Sequence, residues 1–440
     1  MSRKINHIVD EIIDQYLYAD ETDRPWIIGF SGGKDSTVLL QLVWKAIEQV
    51  KELSGFARPV HVVCNDTMVE NPIITNYVNK VLDKIDVAAR DQDMPIYVKK
   101  TQPRLEDSFW VNLIGRGYPA PNNSFRWCTE RLKVRPTSRF ILEQLDITGE
   151  AIILLGTRSD ESATRAKSIK KHAVRGKRIT KHPNHQNTFI YAPIKHLTME
   201  EVWYIINTMP SPWGADNEEL FQIYADASAD DYECPTMVTN KNHSSCGQSR
   251  FGCWVCTVVK EDKSMSALID NGITWLAPLL RYRNEVVEGR NKVGNRMDER
   301  RNGQKVEKGK GTYEPHYRAE LLKRLLETQR EIQETFPELE LITNQELVAI
   351  QVIWYRDALF KQKVSHIYNS VYHKDFDMKN HDENFRKEEE LLKKVCEKEK
   401  EFDLIQDHLA LIKNKALLTR KRGLREDLER RIEQYINQQD

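Results

Sequence analysis

Two short stretches carry residue types able to do chemistry. The first is Ser31-Gly32-Gly33-Lys34-Asp35-Ser36, which follows the apolar run Pro25–Phe30 and opens onto apolar positions at helical spacing (Val38, Leu39, Leu42, Val43, Ile47). A strand that delivers Gly-rich chain into a helix N-terminus gathers backbone N–H groups around an anion, and the glycines let that anion come close. The expected ligand is phosphate. The usual nucleoside-triphosphatase loop needs two glycines four residues apart followed by Lys-Ser/Thr; Gly29 and Gly33 are too close and Lys34 precedes Asp35, so this is a different loop. The second stretch carries Cys234, Cys246, Cys253 and Cys256 in CPTMVTNKNHSSCGQSRFGCWVC. The final C-x-x-C suits two thiolates on one metal, and four cysteines suit zinc or a [4Fe–4S] cluster equally.

Cys128 stands apart in WCTERLKVRP. Arg126, Arg131, Lys133 and Arg135 around it predict a lowered thiol pKa, hence a nucleophile or persulfide carrier; alternatively Cys128 replaces Cys234 as a fourth metal ligand. Cys64 and Cys396 are expected to be inert. Arg158 and Arg165, after a fourth apolar run, suit bidentate phosphate contacts. Magnesium is expected to accompany ATP and neutralise its phosphate oxygens, with Asp35 as ligand or water-holder.

Positioning these groups needs parallel strands. The runs at 25–30, 60–64, 96–99 and 151–155 alternate with helical stretches over Ser36–Val50, from Pro72 through Asp86, and over Thr198–Met209, which predicts an α/β fold with a doubly wound, mainly parallel sheet and ligands at the strands' carboxyl ends. The expected organisation is an N-terminal helix (1–24), a nucleotide domain (25–230), a cysteine segment with a basic loop (231–312) and a charged helical region (313–440). Residues 281–312 lack apolar periodicity and read as a flexible loop, and the aromatic, Gly/Pro/Asn-rich stretch from Ser108 to Pro136 reads as a long functional loop.

Bulk properties exclude little else. The chain has 440 residues, with 66 Lys+Arg balancing 66 Asp+Glu, and 30% charged residues. No apolar run approaches the ~20 residues of a bilayer span, and the first residues read as an amphipathic helix instead of a signal peptide, so a cytoplasmic location is expected. Basic runs at 158–182 and 281–310 offer local surfaces inside the neutral total.

SGGKDS resembles the SGG-x-DS signature of PP-loop ATP pyrophosphatases, which split ATP between the α- and β-phosphates. GTRSDESATR resembles the G-x-R-x-x-E-S-x-x-R segment of the adenylylsulfate-reductase branch. Together with CNDTMVEN, NNSFRWCTERLKVRP and FGCWVCTVV, these motifs resemble the DndC family, the ATP-pyrophosphatase and iron–sulfur subunits of bacterial DNA phosphorothioation, over about residues 25–265. The resemblance implies ATP held by Ser31, Gly32, Gly33, Lys34, Asp35 and Ser36, adenine read at Asn65, Asp66 and Thr67, and further contacts from Gly156 and Arg158. Catalysis falls to Lys34, Asp35, Arg158, Arg165 and Cys128, and a [4Fe–4S] cluster, with zinc as the alternative, to Cys234, Cys246, Cys253 and Cys256. Implied partners are a cysteine desulfurase as sulfur donor, the other phosphorothioation subunits, and DNA as substrate. An adenylylsulfate reductase or a tRNA-thiolation enzyme is the alternative reading.

Overall fold

The computed structural model describes residues 1–17, 24–55, 57–174, 176–227, 252–357, 363–375, 390–396, 401–402, 404–405 and 408. Two compact units emerge: Met1–Arg104 with Asn123–Leu280, and Leu105–Asn122 with Arg281–Asp440.

The first unit is built on six strands: β1 Trp26–Gly29, β2 Val60–Asn65, β3 Ile96–Thr101, β4 Ala151–Leu154, β5 Ile179–Lys181 and β6 Thr188–Tyr191. Their order is β3-β2-β1-β4-β6-β5, parallel except for β5, which pairs antiparallel with β6. The four expected strands are present. The β5–β6 hairpin was not expected, because its strands are short and only partly buried and carry little periodic signal.

Alternation across the pleat explains the layering. Trp26, Ile28, Val60, Val62, Ile152 and Leu154 face one core, shared with helices α1 (Ser2–Leu17), α2 (Lys34–Ser54) and α3 (Pro72–Asp91). Ile27, Val63, Ala151 and Ile153 face the other, under Phe140 and Ile141 of α4 (Arg135–Thr148). Both faces are covered, the doubly wound arrangement that the alternating elements predict. Order reverses beside β1: β2 lies on one side and β4 on the other, a topological switch point where a crevice opens at the carboxyl ends. The described residues of this unit also form α5 (Ala163–His172), α6 (Met199–Thr208), capped by Thr198 and Glu201, α7 (Asn217–Asp226) and α8 (Lys263–Asp270).

The second unit contains α9 (Ala277–Gly289) from Arg281 onward, α10 (Pro315–Gln333), α11 (Asn344–Arg356) and α12 (Val364–Tyr372). Residues 281–289 are therefore helical, correcting the expected loop: buried Tyr282 and Val286 lie one turn apart on α9. Residues 290–312 are irregular but tied, with Met297 N–H donating to Thr312 O at 2.8 Å and Val306 N–H to Asp298 O at 2.9 Å.

The expected functional loop after β3 divides in the same way. Its first part forms a π-helical turn, Val111–Gly115, in which Leu113 and Ile114 are fully buried, as is Trp110 just before it. Trp110 Nε1–H donates to Leu341 O at 2.6 Å, Trp354 Nε1–H to Ile114 O at 3.1 Å and Arg318 Nε–H to Ile114 O at 2.9 Å. The wide turn leaves the carbonyls of Ile114 and Gly115 open to such donors. This stretch is core, and its aromatic density reflects packing. Among the described residues, no helix is long and apolar enough to cross a membrane.

Candidate active site

The anion cradle lies at the switch point. Gly32 takes φ 73°, and a Cβ there would sit 2.5 Å from Val78 Cγ2, so both backbone conformation and space require glycine. Gly33 caps α2 without a side-chain bond, leaving the helix N-terminus turned toward the loop. The loop braces itself: Ser31 N–H donates to Ser36 Oγ at 3.2 Å, and Ser36 Oγ–H donates to Gly33 O at 2.9 Å. Lys34 is held from α7, its N–H donating to the Tyr224 hydroxyl at 3.4 Å and its ammonium lying 4.7 Å from the Tyr224 ring centroid.

Across the crevice, the loop after β4 supplies Arg158, 2% exposed, whose Nε–H donates to Asp35 Oδ1 at 2.5 Å while Nη1–H reaches Leu197 O at 3.2 Å. A buried guanidinium thus fixes the carboxylate at the head of α2. Gly156 sits tight against this junction: a Cβ would stand 2.9 Å from Asp35 O and 3.0 Å from its carbonyl carbon. Its hydrogen side chain lets β4 approach α2. Gly156→Ala is expected to cost about 1–3 kcal/mol and to raise the KM for ATP, measured by urea denaturation and pyrophosphate release. Arg165 stands apart, half exposed and paired with Glu161 at 2.7 Å. Burial raises the Glu161 carboxyl pKa, Arg165 opposes that shift and Asp35 adds to it, so these carboxylates share one electrostatic neighbourhood.

The loop after β2 is braced by its own backbone and by neighbouring segments. Asp66 Oδ1 accepts from Met68 N–H at 2.8 Å and Oδ2 from Gln102 Nε2 at 2.9 Å. Asn65 Nδ2–H donates to Leu132 O at 2.9 Å. Buried Thr67 places its hydroxyl 3.5 Å from Cys253 Sγ. Glu70 forms an isolated bridge with Cys253, and Trp254 N–H donates to Val69 O at 3.0 Å, so the cysteine turn docks on this loop. Cys256 N–H closes that turn onto Cys253 O at 3.0 Å. Asn65, in turn, anchors the π-helical segment Thr129–Val134 that begins beside Cys128.

Three cysteines thereby share one region. Burial, then the charge of Cys256, pushes the Cys128 thiol up, and burial pushes Cys253 up to about 11 despite Lys133. The expectation of a lowered Cys128 pKa fails because burial and a neighbouring thiol outweigh the basic side chains. Among the described residues, no group of three His, Cys, Asp or Glu side chains is arranged to hold a metal. Cys234 and Cys246 lie outside the described residues. Cys64 is buried, with its thiol pushed up to about 12 by that burial.

Beside the cradle is a cavity of about 530 Å³, within the range of small-molecule sites, lined by Ser31, Asn65, Glu70, Lys133, Ser138 and Gly252 among others. Its wall includes His182 and His185 from the β5–β6 turn, their rings 4.8 Å apart, with Ser138 Oγ 3.0 Å from His185 Nε2. Burial, then His185, lowers the His182 pKa. Sequence reasoning missed these histidines and Tyr224. Only H-x-x-H in a Pro/Asn turn hinted at the former, and nothing in the sequence placed Tyr224 on Lys34.

A family model of the phosphoadenosine phosphosulfate reductase domain matches residues 25–259, spanning cradle, cavity and cysteine pair. The chain belongs to that family. A protein of Methanocaldococcus jannaschii described as uncharacterized is 27% identical over 208 residues, which cover 46% of this chain and 35% of the relative. The chain thus spans about a third of the length of that curated relative. Among solved structures, the phosphoadenylyl-sulfate reductase of Candida auris in a phosphate complex is 14% identical, covering 48% of this chain and 87% of that one at TM-score 0.28. The U34-tRNA thiolase NcsA of Methanococcus maripaludis with its [4Fe–4S] cluster is 13% identical, covering 65% and 78% at TM-score 0.31. Overlaps this slight bear on neither fold nor activity.

The reductase domain is a PP-loop fold, a family that binds ATP, and Ser31–Ser36 is the stretch in which the sequence leads one to expect phosphate. Within it, the Tyr224 ring should govern where Lys34 points. Tyr224→Leu is expected to raise the KM for ATP about tenfold, the loss of a cation–π contact of order 1–2 kcal/mol, whereas Tyr224→Phe keeps the ring and should change KM by less than about threefold. Initial-rate kinetics with varied ATP separate the two.

Proposed function

We propose that this chain activates a substrate with ATP, releasing pyrophosphate, and takes part in incorporating sulfur into the DNA backbone, as a DndC-type subunit. The observation that carries the reading is the arrangement at the switch point: an SGGKDS cradle with its Asp35 fixed by Arg158, beside a cavity whose rim at Gly252 leads directly into Cys253 and Cys256. Nucleotide activation and thiol chemistry meet within one unit.

In this reading a substrate phosphate oxygen attacks the α-phosphorus of ATP, the α–β anhydride breaks, and pyrophosphate leaves through the cradle. Lys34 and the helix N-terminus hold the departing charge; magnesium, which Asp35 would hold, would supply further charge neutralisation. Sulfur arrives as a persulfide from a cysteine desulfurase, carried at Cys128 or at the cysteine centre. Its terminal sulfur bonds to phosphorus as the bond to AMP's oxygen breaks. A second thiol then forms a disulfide with the carrier sulfur, and the electron pair returns to the sulfur left on phosphorus.

Cys253 and Cys256, on one tight turn, fit two positions of a metal centre, and the Cys253 thiol, pushed up by burial, would become a thiolate when a cation pairs with it. Cys246 and either Cys234 or Cys128 would complete a [4Fe–4S] centre, which would supply redox or sulfur chemistry; zinc accepts the same donors. The other phosphorothioation subunits are the proposed protein partners.

Anaerobic purification with iron, sulfide and zinc analysis, alongside pyrophosphate release from ATP, tests the reading. About four iron and four sulfide per chain, lost in Cys253→Ser, with pyrophosphate release lost in a folded Asp35→Ala variant, support it. Zinc alone, or unchanged release in Asp35→Ala, overturns it. Sulfur found in tRNA or released as sulfite, with none in DNA, would assign the chain to thiolation or to reduction.

A further inference from the structure

From Ala163 to Met199 the chain carries nine Lys or Arg and no Asp or Glu, although 66 acids are spread over its 440 residues. This stretch begins immediately after the Arg158 loop and includes the β5–β6 turn that brings His182 and His185 to the cavity wall. Two of its cations are neutralised from other elements: Arg165 by Glu161, and Arg178 by Glu11 and Asp14 of α1. Lys167, Lys170, Lys171, Lys177 and Lys181 are exposed, and among the described residues none has a carboxylate within ion-pair distance. Lys167, Lys170 and Lys171 stand at i, i+3 and i+4 of α5, so they share one helix face. Arg24 and Glu150, by contrast, are paired at 2.6 Å nearby in the same unit, as surface charges commonly are.

We infer that the α5–β5 surface is a docking track for the sugar–phosphate backbone of duplex DNA, running from the Arg158 loop toward the histidine edge of the cavity. The inference rests on the DNA reading proposed above and names the surface that reading requires. Charge complementarity chooses the partner. Regularly repeated phosphates match unpaired lysines along a helix and the strand that follows it, and they need no pocket for side chains or bases. A track of this kind binds without sequence preference and delivers a backbone phosphate to the cavity mouth.

The test uses the full chain and a fluorescent duplex of about two helical turns, with tRNA in a parallel titration. Neutralising Lys167, Lys170 and Lys171 together (K167Q, K170Q, K171Q) is expected to weaken duplex binding at least tenfold at low salt. The slope of log affinity against log salt should become shallower by roughly 2–3, since each phosphate contact contributes about 0.9. Neutralising Lys80, Lys323 and Arg324 should change neither, and pyrophosphate release from ATP without DNA should match the parent in both variants. Parental affinity and slope in the α5 variant would overturn the track while leaving the DNA reading intact. A parent that binds tRNA but not duplex would overturn both. Loss of binding in the α5 variant, with no phosphorothioate formed by the parent and its partners, would keep the track and remove the sulfur chemistry.

Discussion

Arg158→Met is expected to abolish measurable nucleotide activation and to destabilise the first unit together. Arg158 is 2% exposed and spends its guanidinium on Asp35 Oδ1, Asp160 and the Leu197 carbonyl. Removing one partner of a buried ion pair leaves the other uncompensated, a loss of about 3–5 kcal/mol when both are fully buried. Asp35 retains 20% exposure, so solvent screens part of that and roughly 2–3 kcal/mol is the better expectation. Pyrophosphate release should fall by at least about a hundredfold, the scale of losing a preorganised electrostatic contact, because Asp35 then swings free at the head of α2. Arg158→Lys should rescue little: an ammonium cannot span Asp35 and Leu197 O with separate nitrogens. Pyrophosphate release with urea denaturation monitored in parallel checks both parts. Wild-type release in a stable Arg158→Met protein would mean that Asp35 needs no orienting partner.

The second large effect lies away from the chemistry. Arg318, 3% exposed, donates to the carbonyls of Ile114 and Gly115 and pairs with Asp357 at 3.2 Å, and Arg301 completes the Asp357 pair at 2.8 Å. Arg318→Met would take the donor from the Gly115 carbonyl, leave Ile114 O with Trp354 alone and remove a buried partner of Asp357, for an expected loss of about 3–5 kcal/mol in the second unit. Calorimetry should show one transition moving down by several degrees, with the first unit's transition and the KM for ATP unchanged. A uniform shift of all unfolding would instead mean that the two units melt as one.

What was legible in the sequence follows from what leaves a local mark. Four strands were readable because Trp26–Gly29, Val60–Asn65, Ile96–Thr101 and Ala151–Leu154 are apolar runs ended by turn residues. The cradle was readable because its six residues act through backbone geometry fixed by their own glycines. Tyr224 on Lys34 and His185 on Ser138 were not readable, since each contact joins residues far apart in the chain. The pKa of Cys128 was misjudged for the same reason. Counting basic neighbours along the chain ignored the burial and the Cys256 sulfur that the fold brings to it. The stretch after β3 was misjudged because aromatic and Gly-rich composition serves a functional loop and a wide buried turn alike.

The exchange of Leu105–Asn122 into the second unit has a consequence for the chain as it is made. Trp110 and Ile114 leave the ribosome long before their partners: Leu341 for Trp110, and Arg318 on α10 and Trp354 on α11 for Ile114. The roughly 230 residues from Asn122 to Trp354 take on the order of 10 to 50 s to synthesise at ~5–20 residues per second. Throughout that interval a strongly apolar segment waits uncovered between β3 and α4 while the sheet around it can already close. The nascent protein is therefore exposed to aggregation and to chaperone capture at one known place. A chain cut after Leu280 would keep that exposure permanently, however well its nucleotide cradle folds.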